Sequence, residues 1–129
     1  MKIEIVTFDT IWNEDNHTTL MAMHGDKPVG TCMVDYDKKG KALLWNLQVS
    51  TGHRQEGIGK TLLDKAVICA RESRCAEIHL VWRKVDSPEW VMRWYERNGF
   101  DECAFGRGIV EMKKILNDET ETETDGEEE

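Results

Sequence analysis

The residues most able to do chemistry together are Val49-Ser50-Thr51-Gly52-His53-Arg54-Gln55-Glu56-Gly57-Ile58-Gly59-Lys60. A strand-like run ends here, a glycine-rich turn follows, and a helical period begins. That succession aims free N–H groups and the positive end of a helix dipole at one spot, which suits an anion. Gly57 and Gly59 let the backbone approach the anion closely, and Arg54 and Lys60 add positive charge. The plainer alternative is a tight turn flanked by solvated basic residues. Two phosphate motifs fail here. A Walker A loop, G-x-x-x-x-G-K-[ST], ends well on Gly59-Lys60-Thr61 but needs a glycine where Arg54 stands. A dinucleotide fingerprint, G-x-G-x-x-G, starts at Gly57-Ile58-Gly59 but meets Leu62 at its third glycine, and hairpin-type strands precede it instead of one strand opening a βαβ unit.

Other polar pairs follow from period two: Glu77 and His79 share one strand face, as do Asn46 and Gln48. No His/Cys/Asp cluster stands at ligand spacing, so no metal is implied. The four cysteines, Cys32, Cys69, Cys75 and Cys103, form no Cys-x-x-Cys pair and lie in apolar stretches, which reads as reduced packing residues.

The elements that must position these groups are read from hydrophobic period. Residues 2–8 alternate as a strand, and residues 9–16 read as a loop or single turn. Three β-rich runs, 17–24, 29–36 and 42–50, are separated by turn compositions short enough to require antiparallel neighbours. From residue 57 the period changes to 3.6, and Ile58, Leu62, Ala66 and Cys69 form the stripe of an amphipathic helix over 57–73. Residues 76–82 are the next strand. A second helix starts with Ser87 as N-cap and Pro88 at its first position, carries Glu89 in its first turn, and stops at Asn98-Gly99. The runs 100–105 and 109–116 read as a closing hairpin. Two β-helix-β crossovers need parallel strands and the hairpins need antiparallel ones, so the fold class is α/β with a mixed sheet.

A third glycine pattern matches where the other two fail: R-x-x-G-x-G, present as Arg54-Gln55-Glu56-Gly57-Ile58-Gly59. With it the chain resembles the GNAT (Gcn5-related) N-acetyltransferases, in which this turn wraps the pyrophosphate of coenzyme A. Trp94-Tyr95-Glu96-Arg97-Asn98-Gly99-Phe100 is similar to the family's aromatic-Tyr-x-x-x-Gly-Phe signature and falls on the expected helix. The resemblance implies a GNAT-like acyl-CoA N-acyltransferase fold over residues 1–116.

Acyl transfer to an amine needs a held donor, a stabilised oxyanion and proton handling at nitrogen and sulfur. By resemblance, residues 54–60 (Arg54, Gln55, Glu56, Gly57, Ile58, Gly59, Lys60) hold the pyrophosphate, largely through backbone N–H groups. The family splays its fourth and fifth strands at a bulge, which implies that the Val49 backbone bonds the pantetheine and that the Leu47 N–H polarises the thioester carbonyl. Tyr95 matches the family's general acid for the departing thiolate, since a phenol with a reference pKa of about 10 is protonated at neutral pH. The alternative for Tyr95 is a core aromatic paired with Val91. A base is harder to assign. Leu43 stands where histone-acetylating relatives carry a glutamate, and His79 is either a base, a water-orienting group or a structural histidine. Pro88 occupies the family's usual Asn position near the cofactor, leaving Asp86 or Ser87 to replace it. Trp82, Trp90 and Trp94 either line an acceptor pocket or pack in the core.

The resemblance thus implies an acetyl-CoA-dependent transferase acting on a primary amine of a small molecule, peptide or protein lysine. A non-catalytic acyl-CoA-binding or interaction module is the alternative. Most family members place two helices between the first and second strands, and residues 9–16 leave no room for them. The apolar run Ala42-Leu43-Leu44-Trp45 then has surface to cover, which favours a homodimer.

Charge sharpens this picture. The 129 residues carry 17 Lys+Arg against 25 Asp+Glu, a net charge of −8, yet eight of those acids lie in residues 118–129 with no base. Residues 1–116 are therefore formally neutral, with no basic block to hold nucleic acid. Residues 117–129 contain no apolar side chain and read as a disordered acidic tail. A hydrophobic content of 40% with five Trp supports one core. No apolar run of membrane-spanning length and no signal-peptide pattern is present, so a cytoplasmic protein without membrane contact is expected.

Overall fold

The computed structural model describes residues 2–12, 15–54 and 56–116. Its strands are β1 (Glu4–Trp12), β2 (Asp15–His24), β3 (Lys27–Tyr36), β4 (Lys41–Val49), β5 (Glu77–Arg83), β6 (Asp101–Gly106) and β7 (Ile109–Ile115), with helices α1 (Ile58–Glu72) and α2 (Glu89–Arg97). All seven strands join one mixed sheet in the order β1-β2-β3-β4-β5-β7-β6. Strands β1 to β4 form an antiparallel meander, β4 and β5 are parallel, and β7 lies between β5 and β6, antiparallel to both. The proposed acidic tail over 117–129 and Gln55 lie outside the described residues.

Three local expectations are corrected. Residues 9–12 continue β1, and residues 15 and 16 open β2, in register from Asp9↔Thr18 to Trp12↔Asp15. The polar side chains that suggested a loop there are ordinary on a sheet-edge hairpin, because only one face of these strands is buried. Helix α2 starts one residue later than read: Pro88 is extended (φ −70°, ψ 157°) and flanks the helix, and no side chain caps it. The Trp82 indole N–H instead donates to the Pro88 carbonyl at 3.2 Å and fixes the helix start. Cys103 is exposed, whereas Cys32 and Cys75 are buried and Cys69 is half-buried.

The core lies on one face of the sheet, under both helices. From α1, Ile58, Leu62, Leu63 and Ala66 are almost wholly buried against Leu20, Val34, Leu44 and Ile78 of the strands. Each such leucine contributes roughly 1.5–3 kcal/mol by leaving water. The close seating of α1 depends on Gly30 of β3: a Cβ there would stand 3.1 Å from both Ile58 Cγ2 and Leu62 Cδ1. Helix α2 packs on the same core through Met92, Trp94 and Tyr95. It ends at Asn98 with Gly99 at φ +96°, as the Asn-Gly signal predicts. The opposite face of the sheet carries no helix among the described residues, and Phe8, Leu43, Trp45 and Val81 are exposed there.

Candidate active site

The site is built where the sheet comes apart. Strand β4 pairs with β5 only from Lys41↔Glu77 to Leu43↔His79, and beyond that pair the two strands separate. The cause is local. The β3–β4 register slips between Met33↔Trp45 and Thr31↔Gln48, so Cys32 faces two residues, Asn46 and Leu47. Asn46 takes the left-handed conformation (φ 57°) that this bulge requires. Its side-chain oxygen accepts from Gln48 Nε2 at 2.5 Å, so the two amides placed on one strand face do meet. Below the bulge Leu44 is buried, and above it Leu47 and Val49 are half-buried against the core.

At the upper end of β4, a 3-10 turn (Thr51–His53) leads through Arg54 to Gly57, the N-cap of α1 at φ +81°. No side chain caps α1, so the first-turn amides of Ile58, Gly59 and Lys60 lack a capping acceptor among the described residues. Ile58 turns its side chain into the core at 2% exposure and can offer a ligand only its backbone. Arg54 is exposed and its Nε approaches the Val49 carbonyl at 3.4 Å. Lys60 leans along the helix to Asp64, with Nζ 2.8 Å from Oδ1. Glu56 points to His53, 3.2 Å from its Nδ1. The turn is therefore backbone-rich, with one guanidinium at its edge that no carboxylate pairs among the described residues, and it sits beside the α2 aromatics. A Cβ added at Gly59 would stand 3.8 Å from the Trp94 ring.

Tyr95 is half-buried, edge-on to Trp94 (centroids 5.2 Å apart) and to Phe100 (5.8 Å). Its hydroxyl makes no hydrogen bond with the described residues. Burial pushes its pKa up to about 12, with a smaller contribution from Cys32, the β3 residue that faces the bulge. The phenol is thus neutral at all ordinary pH and its proton is available to a nearby acceptor. Of the three tryptophans, Trp82 is buried and Trp94 packs on the core, whereas Trp90 is exposed, contrary to a shared core role.

On the bare side of the sheet, His79 closes the lower end of the β4–β5 opening and is itself buried. Its Nε2 lies 2.6 Å from Glu77 Oε1, so the pairing expected from period two is made. That bond, helped by Lys113 and Lys41, holds the Glu77 carboxyl below its usual range. Its Nδ1 lies 3.2 Å from Glu111 Oε2 of β7. Cys103 of β6 joins this group, its Sγ donating to the Glu111 carbonyl at 3.4 Å. Spacing along the chain could not show this cluster, because three strands deliver it. The period-two pattern in 109–116, with Glu111 opposite the buried Met112, was the available signal. A separate cleft of about 520 Å³, lined by Asp9, Asn16, Thr18, Tyr36 and Ser73 among others, lies by the C-terminal end of α1, away from the glycine-rich turn.

A mixed sheet splayed at a β4 bulge beside an uncapped glycine N-terminus defines an acyl-CoA transferase class of fold. Residues 15–102 match the family model described as an acetyltransferase (GNAT) domain, and the chain belongs to that family. Solved structures agree on the fold. An acetyltransferase of the GNAT family from Staphylococcus aureus Mu50 superposes with a TM-score of 0.68 at 21% identity, covering 78% of this chain and 69% of its own. The PaiA N-acetyltransferase from Thermoplasma acidophilum, solved in complex with coenzyme A, gives 0.69 at 23% identity, with 77% and 60% covered. The IAA acetyltransferase from Bacillus cereus ATCC 14579 gives 0.68 at 18% identity, with 78% of each chain covered. No helix among the described residues is long and apolar enough to cross a membrane.

Proposed function

We propose that residues 1–116 form an N-acetyltransferase domain that moves an acetyl group from acetyl-CoA to a primary amine. The observation that carries this reading is the β4–β5 opening, flanked at its upper end by the uncapped first turn of α1 and facing the Tyr95 side of the core. The pyrophosphate rests on the backbone of residues 54–60, where an anion meets N–H groups and the helix dipole. Arg54 adds charge once released from the Val49 carbonyl, and Lys60 does so at the expense of Asp64. The pantetheine lies in the opening as an added strand along Val49, and the Leu47 N–H donates to the thioester oxygen as it gains negative charge. The amine attacks the carbonyl carbon, the C–S bond breaks, and Tyr95 donates to the departing sulfur. A phenol held near 12 gives up its proton less readily than a free one, so Tyr95 acts first as a hydrogen-bond donor to the thiolate.

For His79, burial and two carboxylate partners support a positioning or structural role over that of the base. The acceptor then loses its proton to solvent on the bare face, which is open enough for a protein or peptide amine. In the alternative reading a second copy of the chain covers Leu43 and Trp45 on this face and completes the acceptor side in place of solvent. The four free thiols support a reducing, cytosolic compartment.

Steady-state thiol release from acetyl-CoA across a panel of amines tests the reading, with CoA binding measured in parallel. Turnover on at least one amine is expected, and Tyr95→Phe should lower kcat by about 10²-fold with KM for acetyl-CoA little changed. Tight CoA binding without turnover on any amine would instead establish the non-catalytic module.

A further inference from the structure

We propose that His79, Cys103 and Glu111 form a binding site for a divalent transition metal of the zinc class. The three donor atoms, one from each of β5, β6 and β7, lie within 4.8 Å of one another. Donor type comes first: an imidazole, a thiol and a carboxylate make a mixed N/S/O set that selects zinc-like ions over magnesium or calcium. Geometry comes second. His79 Nδ1 and Glu111 Oε2 stand 3.2 Å apart, close to the edge of about 3.4 Å between two ligands of a tetrahedral zinc ion. Cys103 is exposed at the β6 bulge, so its Sγ can close the remaining gap by side-chain rotation.

The partners around the histidine point the same way. Glu77 Oε1 lies 2.6 Å from His79 Nε2, where it can accept an N–H and leave Nδ1 to face the proposed ion. Nδ1 faces the Glu111 carboxylate at 3.2 Å, and a metal ion would replace the proton of that contact. A carboxylate that orients a histidine from behind is also the usual support of a metal-bound imidazole. The bulge between Glu102 and Ala104 is what turns Cys103 toward Glu111, so the irregularity of β6 serves the site. None of the three donors lies in the glycine-rich turn, and His79 stands at the lower end of the β4–β5 opening.

The test uses the full-length protein, reduced and stripped of metal with a chelator. Titrated Co²⁺ should bind at one equivalent and give a thiolate-to-cobalt charge-transfer band in the near ultraviolet, which Zn²⁺ then removes. Cys103→Ser should abolish the band and weaken Zn²⁺ at least 10-fold in competition with a chromophoric chelator. Glu77→Gln should retain the band while weakening Zn²⁺ by about 10–100-fold. A second readout needs no variant: Zn²⁺ should slow alkylation of Cys103, followed by peptide mass, with no effect on Cys69. A wild-type protein that shows no cobalt band, or that binds Zn²⁺ no more tightly than Cys103→Ser, overturns the site and leaves a proton between His79 and Glu111.

Discussion

The two faces of the sheet are made by the same strands and obey opposite rules. On the helix face Leu20, Val34, Leu44 and Ile78 are at most 2% exposed. On the bare face Phe8, Leu43, Trp45 and Val81 keep 39–49% of their surface. Polar groups also divide. The helix face holds a chain that runs from buried Tyr36 to exposed Asp9, in which Tyr36 donates to Thr18 and Thr18 to Asp9, each bond 2.7 Å. The bare face instead gathers histidine–carboxylate contacts, His17 with Asp35 and Thr19, and His79 with Glu77 and Glu111. Apolar burial is concentrated on one side of the sheet.

A matched pair of truncations should separate the two faces most. Leu62→Ala, at a site with no exposure, should cost about 2–5 kcal/mol in urea unfolding. Leu43→Ala should cost less than about 1 kcal/mol at concentrations where the chain is monomeric. Equal losses would mean that the bare face contributes as much to the fold as the covered one. Next in size is Gly30→Ala. Its new Cβ would meet two α1 side chains at 3.1 Å and the Gln48 carbonyl at 3.2 Å, for an overpacking cost of about 1–3 kcal/mol.

Alkali should act on the covered face. Burial pushes Cys32 from 9.0 and Tyr95 from 10.0 to about 12 each. The unfolded chain therefore ionises first, so the stability held by these neutral groups is complete below pH 9 and is lost as pH rises toward 12. The unfolding free energy from urea titration should fall across that window, by an amount on the order of 1 kcal/mol per pH unit. Cys32→Ala should flatten the fall between pH 9 and 10. The smallest change in stability belongs to Trp45→Glu on the bare face. It should leave the unfolding free energy of the monomer within about 0.5 kcal/mol while converting the proposed dimer to a monomer by light scattering. A wild-type protein that is monomeric at micromolar concentration removes the dimer outright.

Much of the covered face was legible because burial imposes period on a sequence. The α1 stripe and the Asn98-Gly99 stop each have one physical solution, and the structure adopts it. The glycine-rich turn was legible for a similar reason, since Gly57 at φ +81° is a conformation that side-chain-bearing residues avoid. The β1–β2 connection was not. Six of the eight residues 9–16 are polar, and polar composition at a sheet edge cannot separate strand from loop. The Glu77–His79 pair could be read locally, whereas Cys103 and Glu111 reach it only through the order of β5, β7 and β6 in the sheet. Trp90 escaped for the opposite reason, because helical spacing shows which residues share a face without showing that the face is covered.

The short β4–β5 ladder also bears on how the chain folds and breathes. Strands β1 to β4 close through neighbouring hairpins, and β6 and β7 through another, so each half is rich in local contacts and should form quickly. Three parallel pairs and the crossing of α1 then join the halves. The seam is expected to be less protected than the longer β3–β4 and β5–β7 ladders on either side of it. Amides on either side of it should exchange with solvent through openings smaller than global unfolding. A ligand strand inserted there would slow that exchange on β4 and β5 together, coupling the two halves into one cooperative unit.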